Sequence, residues 1–337
     1  MKKIKVAIIG FGHIAKKFHY PIWKNIKSVN DIILVDKNKS SFKNYLKKKV
    51  KKIFTNSKKL YKLEKIDISA ICTPPAMHFQ NIIDAISNNT HTFVEKPFLI
   101  KYKDFLKIKK IKKKNKIITC AYHQRFRPVS KKVKEIIEKK LIGDIYLITI
   151  KKINFNGIPK QSHYFSSKKF SGGGPLIDYG SHYFDLVSWY LNFPKIKKID
   201  CYTFDKLVKT DKNKKFLPFK KFNNEEFASG QILFANNCLV NFELGYRLNT
   251  SKNITEIKIY GTKGMINWPK GEIYKLENSY LKKKKILFDK KKLASEDQIK
   301  NFLSSIKDKN KLLVKFNEIG YNIKLIESLY NVAKKND

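Results

Sequence analysis

The sequence predicts an α/β protein of two domains. Three observations carry that expectation. Short apolar runs alternate with helix-patterned segments from residue 4 to residue 122. A glycine fingerprint stands where the first run meets its helix. A chain of 337 residues with 42% apolar content has enough material for two cores.

The first apolar run, Ile4 to Ile9, ends at Gly10-Phe11-Gly12-His13-Ile14-Ala15. This is Gly-x-Gly-x-x-Ala between a strand and a helix. Gly10 permits the tight turn, Gly12 lets a pyrophosphate approach the backbone, and Ala15 allows close helix–strand packing. Phosphates would sit at the helix N-terminus, near Phe11, His13 and Ile14. A second strand, Asp31 to Val35, ends in Asp36. A carboxylate there accepts hydrogen bonds from the ribose hydroxyls and repels a 2′-phosphate, which favours NAD over NADP. Lys37 and Lys39 could offset that repulsion, and Asp36 could also simply begin a turn.

The alternation continues. Ile66 to Ile71 reads as a strand, Cys72 to Pro75 as a loop and Ala76 to Ser87 as a helix. Thr90 to Glu95 is a strand, Lys101 to Lys114 a helix and Ile117 to Tyr122 a last strand. Such alternation implies a parallel sheet covered on both faces, with ligands beyond the carboxyl ends of its strands. Thr73, Glu95, Lys96 and His123 all fall at such ends. In Glu95-Lys96-Pro97, the proline pushes Lys96 out of helix geometry and stops the strand.

Further along, Gly172-Gly173-Gly174-Pro175 leads into a helix-patterned stretch holding Asp178 and His182. Pro175 suits the first helical turn. Helical spacing puts Asp178 and His182 on one face, about 6 Å apart along the axis. Gly180 costs about 1 kcal/mol in a helix, which points to something flat approaching the backbone. Strands are expected at Ile145 to Asn154, Glu226 to Ala235, Cys238 to Leu248 and Ile254 to Tyr260, with Asn236-Asn237 as a tight hairpin turn.

The net charge of +44 does not mark a dedicated nucleic-acid binder. Only Arg125, Arg127 and Arg247 are arginine among 72 basic residues, which leaves 69 lysines spread over nearly every segment. Nucleic-acid readers use arginine forks and gather their charge on one face. The lysines are read as solvated faces from A/T-rich codon usage, a field that speeds capture of anions. Where codons favour lysine, a surviving arginine serves geometry that lysine cannot supply, so Arg125 and Arg247 are candidate site or inter-domain residues. Cys72, Cys120, Cys201 and Cys238 are widely spaced, as expected of buried thiols in a reducing compartment. No cluster has metal-ligand spacing, no apolar run spans a membrane, and the apolar N-terminal stretch is too short for a signal peptide. A cytoplasmic location is expected.

Taken in order, five features resemble the glucose–fructose oxidoreductase, inositol dehydrogenase and rhizopine-catabolism family (Gfo/Idh/MocA) over essentially the whole length. They are the fingerprint at 10–15, Thr73-Pro74-Pro75 with His78, Glu95-Lys96-Pro97, the glycine turn leading to Asp178-Tyr179-Gly180-Ser181-His182, and Gly261-Thr262-Lys263-Gly264 with the C-terminal helix. The resemblance implies a Rossmann NAD(P)-binding domain over 1–122. It implies an α/β domain with a large, mostly antiparallel sheet over 123–337, which holds substrate and builds homodimers or homotetramers.

It also implies hydride transfer between NAD, or NADP, and a secondary alcohol of a sugar, cyclitol or nucleotide sugar. Lys96 would bind the reacting hydroxyl, and Asp178 and His182 would form the acid–base dyad. Gly10, Phe11, Gly12, His13, Ile14, Asp36, Thr73, Pro74, His78, Glu95, Lys96 and His123 would bind the cofactor. Arg125, Tyr164 and Arg247 would contact substrate, within and near the stretch 160–170. Two departures stand out. His123-Gln124-Arg125-Phe126 occupies the place of the family's Asn-x-Arg-aromatic, and Lys168-Lys169-Phe170 stands where an arginine often precedes the triple glycine. A redox-neutral, NAD-using glycoside-processing enzyme and a non-catalytic sensor of the same fold remain alternatives.

Overall fold

A computed structural model describes residues 3–42, 45, 50–159, 163–210 and 222–333. The chain divides into two compact units: residues 1–121 with 295–323, and residues 122–294 with 324–337.

In the first unit the described strands are β1 (Ile4–Ile9), β2 (Val29–Val35), β3 (Val50–Phe54), β4 (Ile68–Ile71), β5 (His91–Val94) and β6 (Ile118–Cys120). All pair in parallel, in the order β3-β2-β1-β4-β5-β6. The order reverses between β1 and β4, where such sheets leave a crevice for ligand. Val6, Ala7, Ile8, Ile32, Ile33, Leu34, Ile68, Ala70 and Ile71 are fully buried, as they must be when helices cover both faces. The strand β3 and the helix Ser57–Leu63 are additions to the expected set. β3 lies at the sheet edge and exposes Lys51 and Lys52, so its apolar signal is weak. Lysines of this kind discourage edge-to-edge pairing. The helix after the fingerprint contains a wider, π-type turn at Ala15–His19, which carries His19 into the interior.

One boundary departs from expectation. The stretch 295–323 belongs with the first unit and not with 123–337. The helix Ala294–Lys307 buries Ile299 and Phe302 in the core around β1, and the Phe302 ring lies 5.4 Å from Phe93 and 6.4 Å from Trp23. Phe316 stacks on Phe105 at 4.7 Å. Apolar burial by a late segment overrides its place in the sequence.

The second unit holds an eight-stranded sheet. Its strands are β7 (Ile145–Ile153), β8 (Ile196–Phe204), β9 (Phe227–Phe234), β10 (Leu239–Gly245), β11 (Ile254–Gly261), β12 (Gly264–Trp268), β13 (Glu272–Glu277) and β14 (Tyr280–Lys285). Their order is β14-β13-β12-β11-β7-β10-β9-β8, and every described pair is antiparallel except β7 with β10. β7, β9, β10 and β11 fall where strands were expected. At the β9–β10 turn Asn237 takes a φ of 61°. β8, β12, β13 and β14 go beyond the expectation; β14 is exposed along its whole length and mostly lysine, so no buried face marked it. The helix expected from Pro175 is split at Tyr179 into Pro175–Asp178 and Gly180–Tyr190. Among the described residues no helix is long and apolar enough to cross a membrane.

The substitution Phe302→Ala should cost about 3–5 kcal/mol of stability in chemical denaturation of the full chain. A loss below about 1 kcal/mol would contradict the placement of residues 295–323 in the first core.

Candidate active site

At the carboxyl edge of the parallel sheet, Gly10 has a φ of 88°, and a Cβ there would lie 2.6 Å from the Thr73 backbone nitrogen. Glycine is therefore required twice over, by conformation and by the loop after β4. Nothing lies within 4 Å of a Cβ built on Gly12, so the backbone at the start of the helix stays open. His13 is exposed, Ile14 half-buried, and Ala15 fully buried in the core. The Phe11 ring faces inward, stacked on Phe42 at 5.9 Å and edge-on to Tyr45 at 4.9 Å. What Phe11 offers a cofactor is backbone. Its N–H donates to Asp36 Oδ2 at 2.8 Å, while Asp36 Oδ1 accepts from Asn38 N–H at 2.8 Å. Asp36 thus both begins a turn and stands at the end of β2. A carboxylate has about four acceptor sites, so two bonds leave capacity for ribose hydroxyls.

The loops after β4 and β5 are tied together by His78. Its Nε2 lies 2.7 Å from Thr73 O, and its Nδ1 lies 3.0 Å from Pro97 O and 3.1 Å from Phe98 O. His78 is fully buried, and burial pulls its pKa down. This corrects the sequence expectation: His78 holds the cofactor loops in place from inside and has no surface to offer a ligand. Thr73 Oγ1 accepts from Asn81 Nδ2 at 3.1 Å, and Pro74 leads into the short turn Pro75–Met77. Glu95 Oε1 faces His19 Nε2 at 2.8 Å, and its Oε2 accepts the Lys96 N–H at 3.2 Å. His19 escaped the sequence reading. The signal was its place on the buried side of the fingerprint helix, which the π turn disguises. Lys96 is half-buried and joined to Pro97 by a cis peptide bond.

In the second unit the glycine turn has a packing reason. A Cβ on Gly173 would lie 2.0 Å from the Tyr330 hydroxyl, and one on Gly174 2.0 Å from Glu225 O. Glu225 is buried and accepts from Gly174 N–H (2.8 Å), Leu176 N–H (3.2 Å) and Tyr330 OH (2.6 Å). It occupies the start of the helix that carries Asp178, where free N–H groups favour an anion. Burial raises the Glu225 pKa, and these three donors oppose that rise. No periodicity or motif marked Glu225.

Asp178 is 8% exposed, and its Oδ2 accepts from Tyr246 OH at 2.8 Å. Burial and the Asp178 charge hold the Tyr246 pKa well above its usual value, so Tyr246 stays a donor. His182 is half-buried, with its ring edge-on to His123 at 4.5 Å. The two rings meet because Arg125 and Asp185 clamp their elements together. Arg125 Nε donates to Asp185 Oδ2 at 2.8 Å and its NH2 group donates to Oδ1 at 2.6 Å, with both side chains fully buried. The clamp joins the turn His123–Phe126 to the helix Gly180–Tyr190. Asp185 lies one helical turn beyond His182, so both point to the same side.

Two expectations, for Arg125 and Gly180, are corrected here, while Arg247 and Tyr164 are given their places in the second unit. Arg125 is an internal anchor, since its fork is filled by Asp185 and no part of it reaches the surface. Arg247 is 9% exposed and donates to Leu207 O at 3.2 Å, which fixes the chain after β10. Tyr164 stacks on Phe165 at 4.1 Å in the turn His163–Ser166. Gly180 is needed inside the unit: a Cβ there would lie 2.7 Å from the Phe184 ring, so packing and not a flat ligand accounts for it. Of the substrate stretch expected at 160–170, residues 160–162 lie outside the described residues.

The first unit fits a dinucleotide: an uncrowded Gly12, free acceptor capacity on Asp36 and a sheet switch point between β1 and β4. Residues 4–123 match the oxidoreductase family with an NAD-binding Rossmann fold, and residues 130–267 match the Gfo/Idh/MocA C-terminal domain. The chain belongs to the Gfo/Idh/MocA family. It is an oxidoreductase whose first unit is an NAD-binding domain. Among curated relatives, D-glucoside 3-dehydrogenase of Escherichia coli (strain K12) is 24% identical over 340 residues, covering 98% of this chain and 95% of that protein. The aldose–aldose oxidoreductase of Caulobacter crescentus, solved with glycerol, superposes with a TM-score of 0.81 at 17% identity, covering 100% and 99% of the two chains. An oxidoreductase of Agrobacterium radiobacter, solved with NAD+, superposes with a TM-score of 0.81 at 15% identity, covering 100% and 98%. His123 places a second imidazole edge-on against His182.

Asp185→Ala would leave a buried guanidinium without its counter-charge. The expected cost is about 3–5 kcal/mol in urea denaturation, whereas an exposed ion pair would cost less than about 1 kcal/mol.

Proposed function

We propose that this oxidoreductase transfers hydride between NAD and a secondary alcohol of a sugar, cyclitol or nucleotide sugar. The observation that carries the reading is how Asp178 and His182 are held. Asp178 is bonded to a buried tyrosine, His182 is set against a second imidazole, and their two consecutive helices are anchored by Glu225 at the start of the first and Arg125 along the second. A surface Asp–His pair would need none of this. The names of the relatives, a D-glucoside 3-dehydrogenase and a scyllo-inositol 2-dehydrogenase among them, support the substrate class.

Gly10 to Ile14, with Asp36, Thr73 and Pro74, would hold the cofactor, which when bound supplies the hydride acceptor. The imidazole of His182 takes the hydroxyl proton as a general base. A positioned base of this kind is worth about 10²–10⁴ in rate. Asp178, fixed by Tyr246, favours the imidazolium that results. The Lys96 ammonium steadies negative charge developing on the reacting oxygen. Glu95, fixed by His19, sets the backbone of Lys96. Asp36 disfavours a 2′-phosphate, which makes NAD the preferred cofactor over NADP. The lack of a disulfide among the described residues supports a cytoplasmic setting. The exposed aromatics Tyr202 and Phe204 on β8 support a homo-oligomer through the sheet.

Lys96→Met and His182→Ala should each remove NADH formation, followed by absorbance across a panel of cyclitols, aldoses and nucleotide sugars, while NAD still binds. Near-normal turnover by either variant would refute the roles. In cofactor-binding titrations Asp36→Ala should narrow the preference for NAD over NADP by about tenfold, read as the ratio of Kd values.

A further inference from the structure

Beside Asp178, the second unit places a lysine where its own strand pattern calls for an apolar residue. Along β7 the inward face reads Ile148, Ile150, Lys152, and then Asn154 beyond the strand end, by the two-residue repeat of a strand. Ile148 and Ile150 are buried; Lys152 is half-buried. Its neighbour Lys151, on the opposite face, has an ordinary partner, with Nζ 2.8 Å from Glu243 Oε1. Lys152 has no such carboxylate in hydrogen-bond contact. Its Nζ donates to Asn154 Oδ1 at 3.1 Å and to Thr255 Oγ1 at 3.0 Å, both neutral. Thr255 stands opposite it in the β7–β11 register. An ammonium has three N–H donors, so one is left over.

The surroundings point that ammonium toward the candidate chemistry. It lies 5.4 Å over the Tyr179 ring, and Asn154 Nδ2 donates to Tyr179 OH at 2.7 Å. Tyr179 adjoins Asp178 and meets Tyr246 edge-on at 5.0 Å. Burial pulls the Lys152 pKa down more than the Asp178 charge lifts it, so the protein's own charges under-compensate this cation. Half-burying a charge against neutral acceptors is unfavourable unless a counter-charge completes the site. Hydroxyl groups alone could be read by neutral donors without that cost.

We infer that Lys152 anchors an anionic group of the substrate, so the alcohol oxidised here belongs to a sugar acid carrying a carboxylate. This rests on the dehydrogenase reading above and narrows its substrate class. The ammonium acts as a point charge on the carboxylate. Asn154 and Thr255 hold the ammonium in place, and the reacting carbon lies toward Asp178 and His182.

The test titrates D-glucuronate and D-glucose separately into NAD-saturated protein by calorimetry, with wild type, Lys152→Met and Lys152→Arg. Wild type should bind glucuronate about tenfold or more tightly than glucose, the scale of one charged hydrogen bond. K152M should lose that preference while still binding NAD, and K152R should keep most of it. Equal or better binding of glucose by wild type, no binding of glucuronate, or an unchanged preference in K152M would overturn the inference. NADH formation separates this from the broader reading. Oxidation of neutral sugars with no acid preference sinks the sugar-acid inference alone. A Lys152-dependent acid preference without oxidation of any alcohol sinks the dehydrogenase reading and leaves the anion site standing.

Discussion

The second unit depends on one buried ion pair. Arg125 and Asp185 have no access to water, so neither can be left alone without a large desolvation cost, and their two parallel hydrogen bonds admit little angular freedom. Through them the short turn after the parallel sheet is locked to the helix that bears His182. The edge-on contact between His123 and His182 is a consequence. Trp189 and Phe193 add aromatic faces at 5.9 and 5.2 Å from the guanidinium, which explains why arginine survives here in a chain that otherwise uses lysine.

A buried carboxyl group works at the other end of the same segment. Glu225 satisfies N–H groups that the start of the Asp178 helix would otherwise leave unpaired. The triple glycine exists so that Glu225 and Tyr330 can come that close. The first unit follows the same logic with different groups: His78 bridges three carbonyls across two loops, and His19 holds Glu95 beside Lys96. In each case the residues with reaction chemistry are few, and buried polar partners fix where they stand.

Much of this was legible in one dimension. The parallel sheet could be read because its strands are buried on both faces and appear as continuous apolar runs. The strands β3, β8 and β14 could not, because their lysines leave no buried stripe to read. Asp178, His182, Lys96 and the glycine fingerprint stood out because their residue types and local spacing carry the chemistry. Their supports did not. Asp185, Glu225, His19 and Tyr246 are ordinary residues in ordinary segments, and each matters through a partner 49 to 76 residues away, apart from the 105 that separate Glu225 from Tyr330.

The sequence by itself determined the class of sheet, the dinucleotide fingerprint and the candidate acid–base groups, since all are set by local propensity and short-range spacing. Tertiary structure decided the rest. It turned Arg125 and His78 from presumed ligand contacts into internal ties, gave Gly180 to the Phe184 ring, and drew residues 295–323 into the first core. It also set Lys152 among neutral partners beside Asp178. The physical reason is common to all of these. Burial and charge compensation are properties of a residue's three-dimensional neighbours, and those neighbours come from distant parts of the chain.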